Sequence, residues 1–154
     1  MSHLVLYDGV CGLCDHFVQF LLRIDRHDSL RFAALQGPIG ARILREAGRT
    51  TTALSTVIVV TDFETDQKRL LDRSDAGLFA LASAGGIYRA ALVLRIVPRF
   101  IRDAVYDLIA RFRYRIFGRF DACPIPDART RAKFLNFAHP VSEAADPARL
   151  SAKA

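Results

Sequence analysis

The chain has 154 residues, of which 51% are hydrophobic and 25% charged, and its formal net charge is +6. This length fits one domain with a core of its own, and the composition is globular rather than disordered. Three cysteines, Cys11, Cys14 and Cys123, are too few for a secreted disulfide scaffold. Without a recognisable signal peptide or an uncharged apolar run of about 18 residues, we expect a cytoplasmic protein with no transmembrane segment.

The apolar pattern predicts alternating strands and helices before residue 87. Strands are predicted at 3–7, 30–35, 55–61 and 68–71, and helices at 13–24, 38–47 and 75–84. The resulting order is β-α-β-α-β-β-α. Such an order builds a small mixed sheet with helices on both faces, so we predict an α/β domain.

Helical spacing continues beyond this core. The run 87–97 is apolar on nearly all sides, so we expect it to be buried, and Pro98 interrupts the helix. From Ile101 onwards apolar residues form an i, i+4, i+7, i+11 stripe that Gly118 ends. We therefore expect a single domain over 1–154, made of a core (1–86), a helical extension (87–137) and a mobile tail (138–154). Within the extension, Phe134, Leu135 and Phe137 are expected to pack back onto the domain.

The positive charge is concentrated in the helical extension. Residues 1–84 carry 9 basic and 10 acidic side chains, whereas residues 85–123 carry 8 basic ones, all arginine, and 3 acidic ones. This excess suits an acidic partner or an anionic lipid surface, although the solvated face of an amphipathic helix would also give it. The aromatic residues near Tyr114 allow stacking on nucleic acid, but helix packing with snorkelling arginines is the favoured interpretation.

The junction of the first strand and first helix carries the clearest chemical signal. It reads Tyr7-Asp8-Gly9-Val10-Cys11-Gly12-Leu13-Cys14. Two cysteines separated by two residues at such a junction are typical of a thiol–disulfide site. The helix start offers unpaired N–H groups and about half a positive charge, which favour a thiolate. The spacing also lets the second sulfur reach the first within one turn.

Three residues of this junction form the predicted catalytic set, and no cofactor is expected. Cys11 is the predicted attacking thiolate, since we expect the helix start to be exposed, and Cys14 is the resolving thiol. Asp8 either relays a proton to or from Cys14 or accepts backbone N–H groups in the turn at Gly9. Two buried structural thiols are the less favoured alternative.

The remaining cysteine leaves two further interpretations open. Cys123 is either a third redox cysteine or, as lone cysteines more often are, a small buried apolar residue. A metal site would need Cys11, Cys14 and Cys123 together with His16 or His139. Because only one Cys-x-x-Cys half-site is present, we predict no metal.

The element order with this Cys-x-x-Cys pair resembles the thioredoxin-like fold. The stretch from Asp8 to Cys14 resembles the Asp-x-x-Cys-x-x-Cys signature of the DCC family of thiol–disulfide oxidoreductases. Matching positions follow in the C-terminal half, at Tyr106-Asp107, Ala110-Arg111, Arg113-Tyr114-Arg115, Gly118 and Asp121-Ala122-Cys123. The resemblance covers roughly residues 3–135. It implies dithiol–disulfide exchange through Cys11 and Cys14 on a protein or small-molecule thiol or disulfide.

Two positions depart from ordinary thioredoxins. In those proteins a cis-proline precedes the strand that faces the active site, whereas Ala53-Leu54-Ser55-Thr56 contains no proline. Leu13 also stands where thioredoxins have a proline. Both differences argue against an ordinary thioredoxin activity. The alternative function is a binding module, with a structural metal or idle cysteines, that docks on an acidic partner or a membrane surface through its arginine-rich helices.

Overall fold

The structure, a computed structural model, describes residues 2–49, 56–65, 68–119 and 130–135. Its strands are β1 (His3–Tyr7), β2 (Leu30–Ala34), β3 (Ile58–Thr61) and β4 (Arg69–Asp72). Its α-helices are α1 (Gly12–Ile24), α2 (Pro38–Glu46), α3 (Arg73–Ser83) and α4 (Arg99–Phe117). A 3₁₀ helix, here called the 3₁₀ segment, covers Gly86–Ile96, and a short one covers Arg131–Lys133. The predicted order β-α-β-α-β-β-α is confirmed.

The four strands form one mixed sheet in the order β2-β1-β3-β4. β1 is parallel to β2, which α1 makes possible by crossing between them, and antiparallel to β3. Val5 and Tyr7 pack on the face covered by α1 and α3, whereas Leu4 and Leu6 pack on the face that α2 covers. The predicted thioredoxin-like α/β architecture, with helices on both faces, is therefore confirmed.

The C-terminal part of the described chain returns to the sheet at Phe134. This side chain is 3% exposed and its ring lies 5.4 Å from that of Phe32. Leu135 packs on the opposite cluster with α2. The predicted packing of these two residues is confirmed, while Phe137 and the tail 138–154 lie outside the described residues.

The 3₁₀ segment is exposed, so the prediction that residues 87–97 are buried is wrong. Ile87 and Ile96 are each 82% exposed, and no residue of Gly86–Ile96 is buried. The segment contacts α3 on the outside of the fold. An apolar run fixes neither its own helix type nor the presence of a second layer to cover it, and in the described residues no further layer does so.

Helix α4 turns its apolar stripe away from the sheet. Ile101, Val105 and Leu108 are 43%, 53% and 59% exposed. The inward side carries polar groups instead, and Nη1 of Arg102 lies 2.7 Å from Oδ1 of Asp75 on α3. Hydrogen bonds and ion pairs thus attach much of α4 to the domain. None of the described helices is both long enough and apolar enough to cross a bilayer.

Candidate active site

The two predicted redox cysteines meet at the N-terminus of α1. Cys11 has an extended backbone (φ −94°, ψ 118°) and caps the helix, and Cys14 lies one turn inside it. The backbone N–H of Cys14 donates to Sγ of Cys11 over 3.5 Å. The sulfur therefore takes the place that a serine or aspartate oxygen has in most N-caps. Both cysteines are free thiols.

Cys11 is enclosed, and the expectation of an exposed helix start is wrong. Its exposed fraction is 0% and that of Cys14 is 4%. The chain that follows α4 passes over the site, where Arg119 forms an antiparallel bridge with Cys11. Sequence spacing did not predict this cover, because the covering segment is distant along the chain.

The covering segment approaches α1 so closely that only glycine fits beneath it. A β-carbon at Gly12 would lie 2.1 Å from the carbonyl oxygen of Phe117. The N–H of Gly12 donates to the carbonyl of Gly118 over 3.3 Å, which satisfies one of the free donors of the helix start. Gly12 is thus needed for the closure of the site rather than for an unusual backbone angle.

The two thiols have pKa values shifted in opposite directions. Hydrogen bonds from the Cys14 thiol and N–H, with the charge of Arg113, lower the pKa of Cys11 to about 6, although burial and Asp8 oppose this. The hydrogen bond to Cys11, burial and the negative charge on Cys11 raise the pKa of Cys14. At neutral pH Cys11 is therefore the thiolate and Cys14 the thiol.

Asp8 is buried beside the pair, and both of its carboxylate oxygens accept hydrogen bonds. Oδ1 accepts from the N–H of Val10 over 3.2 Å and from Nε2 of Gln36 over 2.7 Å. Oδ2 accepts from Nη2 of Arg113 over 3.1 Å and from the hydroxyl of Tyr114. The bond to Val10 is the backbone role that the sequence left open for Asp8. Its proton-relay role stays a prediction.

Arg113 places a buried positive charge at this site. It is 2% exposed, lies on the inward side of α4 and pairs with a carboxylate 105 positions earlier. A buried charge is costly without such a partner, so Asp8 and Arg113 depend on each other. From the sequence, Arg113 and Tyr114 match positions of the DCC family, but neither they nor Gln36 were predicted to lie at the redox pair. The signals for Arg113 were this match and its place off the apolar stripe of a helix, whereas Gln36 had none.

Tyr106 ties α4 to the start of β3. Its hydroxyl accepts the N–H of Val57 and the hydroxyl of Thr56, each over 2.9 Å. This is the region where thioredoxins carry their cis-proline. No cis peptide bond occurs within the described ranges, and residues 53–55 lie outside them.

An apolar cavity of about 200 Å³ lies beside Cys14, and we call it the Cys14 cavity. Its apolar wall comes from α1, α4 and the residue before β3, namely Leu13, Phe17, Ile109, Ala110 and Val57. Such surroundings favour the neutral form of a thiol, in agreement with the raised pKa of Cys14.

The predicted alternatives that involve a metal or a third cysteine fall largely outside the described residues. In the described ranges no three metal-ligating side chains come together. Nδ1 of His16 lies 2.7 Å from the carbonyl oxygen of Gly12, within the first turn of α1. Cys123 and His139 lie in undescribed parts of the chain, and the role of Cys123 stays a prediction.

The sequence of the chain matches a known protein family and two relatives. A model of the DCC1-like thiol-disulfide oxidoreductase family matches residues 5–119, from β1 to the segment over Cys11. The uncharacterized protein YuxK of Bacillus subtilis is 30% identical over 134 residues, which are 87% of this chain and 94% of that protein. A chloroplastic DCC family protein of Arabidopsis thaliana is 36% identical over 123 residues, 79% of this chain and 69% of that protein. No solved structure matches the chain. On the extent of the family match, the chain belongs to the DCC1-like thiol-disulfide oxidoreductase family.

Proposed function

We propose that the protein catalyses dithiol–disulfide exchange through Cys11 and Cys14. The observation that carries this proposal is the pair at the start of α1, where the N–H of Cys14 donates to Sγ of Cys11, and the opposite pKa shifts of the two thiols support it. A thiolate attacks a disulfide, and a neighbouring thiol releases the product. The family supports thiol or disulfide substrates, protein or small molecule, with no bound cofactor in the proposed cycle.

The proposed cycle moves two electrons between the pair and its substrate. The Cys11 thiolate attacks one sulfur of a substrate disulfide and expels the other substrate sulfur as a thiolate. Cys14 then attacks the Cys11 sulfur of the mixed disulfide, and its proton passes to the expelled thiolate. The second substrate sulfur leaves, so the substrate is reduced and the pair becomes a disulfide. The reverse sequence oxidises a substrate dithiol.

The lowered pKa of Cys11 also bears on the redox potential. A stabilised thiolate favours the reduced pair, which makes its disulfide more oxidising. Potentials run from about −270 mV, where the attacking thiol has a pKa near 7, to about −120 mV, where it is near 3.5. A pKa of about 6 for Cys11 therefore shifts the potential of the pair towards the oxidising side, relative to a pair whose attacking thiol has an ordinary pKa.

We propose that Asp8 acts as a positioning residue in this cycle. Its two oxygens accept four hydrogen bonds, of which one comes from Arg113, and it thereby fixes the cation that favours the Cys11 thiolate. A proton relay to Cys14 would require one of these bonds to break first. The anchoring role is therefore the better supported of the two.

A thiol titration of the purified protein against a graded series of reduced and oxidised glutathione tests the proposal, with zinc assayed on the same sample. We expect a reversible two-electron transition that is lost in Cys11→Ser. Stoichiometric zinc, with thiols that react only after chelation, would show that the pair is structural. Thiols that never form an intramolecular disulfide would also contradict the exchange reaction.

A second function, docking on an anionic membrane surface, has its own supporting observation. The outer face, by which we mean four exposed apolar side chains and four exposed arginines of the 3₁₀ segment and α4, combines apolar surface with positive charge. Its apolar members are Ile87, Ile96, Phe100 and Ile116. Its arginines are Arg89, Arg95, Arg111 and Arg115, and none of them forms an ion pair with another described residue.

This composition is that of an interfacial amphipathic surface. Apolar side chains enter the headgroup region while arginines meet anionic lipid. A second copy of the chain is a less suitable partner for the outer face, because a two-fold symmetric contact would bring arginines of one copy close to those of the other. Sedimentation with anionic and with zwitterionic vesicles tests the docking, which we expect with the anionic vesicles alone. The cytoplasm is the proposed compartment, whereas the plant relative is by its name chloroplastic.

A further inference from the structure

The Cys14 cavity adjoins a second apolar cavity that reaches the protein surface. This second space, the α3–α4 groove, has a volume of about 340 Å³ and lies between α3, the 3₁₀ segment and α4. Gly77, Tyr106 and Ile109 line both spaces. At the outer end, Leu94 and Val105 are each 53% exposed. The two apolar spaces are therefore neighbours, one beside Cys14 and the other open at the protein surface.

The polar groups that line the two spaces already form hydrogen bonds within the protein. The Tyr106 hydroxyl accepts from Val57 and Thr56, and Arg113 donates to Asp8. In the groove, Arg102 donates to Asp75 and Ser74. A ligand in either space would thus meet mainly carbon, and its affinity would come from apolar burial rather than from hydrogen bonds.

The size of the Cys14 cavity limits what it can hold. An apolar cavity of about 150 Å³ takes up a benzene-sized group. At about 200 Å³, the Cys14 cavity is large enough for one leucine or phenylalanine side chain but too small for a drug-sized ligand. The groove outside it has room for the neighbouring part of an extended chain.

We propose that the Cys14 cavity binds a large apolar side chain that neighbours the reacting cysteine of a peptide substrate. The α3–α4 groove receives the rest of that apolar segment. This inference rests on the proposed exchange reaction and assigns its substrate class. The cavity takes part in no bond making, and the atoms and electrons move as in the cycle described above.

The test compares two short peptides that differ in one residue beside their cysteine, leucine or serine. Each is supplied as a mixed disulfide with glutathione, and glutathione disulfide itself serves as a small polar substrate. Burying a leucine side chain stabilises a complex enough to change kcat/KM about tenfold or more. We expect the wild-type protein to prefer the leucine peptide by that factor.

Variants at Gly77 then test whether the preference for the leucine peptide depends on the Cys14 cavity. A β-carbon at Gly77 meets no atom within 4 Å, so Gly77→Ala fits without a clash, and Gly77→Leu extends further into the space that the two cavities share. We expect the ratio of the two peptide rates to fall in Gly77→Ala and to approach one in Gly77→Leu. Ala104→Leu places a leucine side chain at an exposed site on α4 that lines neither space, and it should keep the wild-type ratio.

The outcomes separate this inference from the function on which it rests. Equal rates for both peptides, while glutathione disulfide reacts, would overturn the substrate class and leave the exchange reaction standing. A preference that survives in Gly77→Leu would likewise place the apolar side chain elsewhere. Failure of every disulfide to react with the wild-type protein would contradict the proposed function itself.

Discussion

The charge of Arg113 acts on the sulfurs through space, because this guanidinium bonds to Asp8 and Tyr114. Its field lowers the pKa of both cysteines. The nearby carboxylate works in the opposite direction on Cys11. The reactivity of the pair is thus set jointly by the start of α1 and by one cation from a helix far along the chain.

Removing the cation should raise the pKa of Cys11. An opposite charge at short range shifts a pKa by about 1–3 units, so we expect Arg113→Gln to raise it by about one unit or more. Arg113→Lys retains the charge and should keep the pKa near its wild-type value. The thiolate absorbance of Cys11 is followed against pH in proteins that all carry Cys14→Ser. The pKa shift is the difference between an Arg113 variant and the protein that carries Cys14→Ser alone.

A matched control lies two positions away on the same helix. Arg111 is exposed, so Arg111→Gln removes an equal charge and should leave the pKa of Cys11 unchanged. An equal shift in both variants would mean that net charge, rather than Arg113, governs the thiolate. Arg113→Gln should also destabilise the fold by about 3–5 kcal/mol, because it leaves the Asp8 carboxylate buried without its cation.

The pKa of Cys11 also predicts how stability depends on pH. It is about 6 in the folded protein and about 8.5 in an unfolded chain, so between these values the unfolded state binds more protons. The free energy of unfolding of the reduced protein should therefore rise from pH 6 to about pH 8.5, by up to about 1.4 kcal/mol per unit. Above that range the raised pKa of Cys14 reverses the sign.

Urea unfolding of the reduced protein at several pH values measures this slope. His3, whose pKa burial lowers, adds a slope of the same sign near pH 6. Comparison with Cys11→Ser subtracts that contribution. A slope that is the same in both proteins would show that Cys11 titrates at its ordinary pKa.

At the level of secondary structure, the sheet and its flanking helices could be predicted from the sequence. Val5 and Tyr7 alternate with Leu4 and Leu6, and Cys14, Val18 and Leu21 recur at helical spacing, so local periodicity states which elements form. The pairing of β1 with both β2 and β3 is then one of the few sheet topologies that the rules for chain connections allow.

The orientation of α4 could not be predicted in this way. Its apolar stripe identifies a helix with two unlike faces, but periodicity does not say which of them meets the domain. The face that does so carries Arg102, Asp103, Tyr106 and Arg113, whose partners lie on other elements. The closure over Cys11 was missed for the same reason, since it depends on where α4 ends in space.

Closure by the end of α4 makes a prediction for Gly12→Ala. The new methyl group would lie 2.1 Å from the Phe117 carbonyl oxygen, so the segment 117–119 must move. We expect a loss of about 1–3 kcal/mol of stability and faster alkylation of Cys11 by iodoacetamide at fixed pH. Unchanged alkylation with full stability would mean that the cover is loose in solution.

Gly77, which also lies in a helix, provides a control for the expected loss of stability in Gly12→Ala. Gly77 has open space around its α-carbon, so Gly77→Ala should raise the free energy of unfolding by up to about 1 kcal/mol through helix propensity. Opposite signs for the two Gly→Ala changes would isolate the steric effect at Gly12. Thermal unfolding of the two variants beside the wild type measures both.

Over the whole molecule, exposed apolar side chains and positive charge are both concentrated on the 3₁₀ segment and α4. The core lies on the two faces of the sheet, while the 3₁₀ segment and α4 expose side chains such as Ile96 and Phe100, 82% and 74% accessible. Soluble monomers rarely leave contiguous apolar patches of more than a few hundred square ångströms open to water. The two acidic residues of α4 face other elements, where Asp103 accepts from Ser74 and Asp107 pairs with Arg73. The outer face therefore combines apolar side chains with positive charge.

That combination predicts binding to anionic vesicles with a defined charge dependence. Each arginine near a lipid surface contributes about 1 kcal/mol, so Arg111→Gln with Arg115→Gln should weaken vesicle binding about tenfold or more. The double change Arg42→Gln with Arg45→Gln removes the same charge from exposed positions of α2 and should have little effect. Vesicle co-sedimentation across a series of salt concentrations measures both, and the wild-type affinity should fall as salt rises.

The apolar half of the outer face has a separate test in the same assay. Phe100→Ser removes a side chain that is 74% exposed, so it should reduce vesicle binding while leaving the salt dependence and the fold intact. If the double variants on α2 and on α4 lost vesicle binding equally, net charge alone would determine the binding. Binding that survives both the α4 pair and Phe100→Ser would place any membrane contact on another part of the protein.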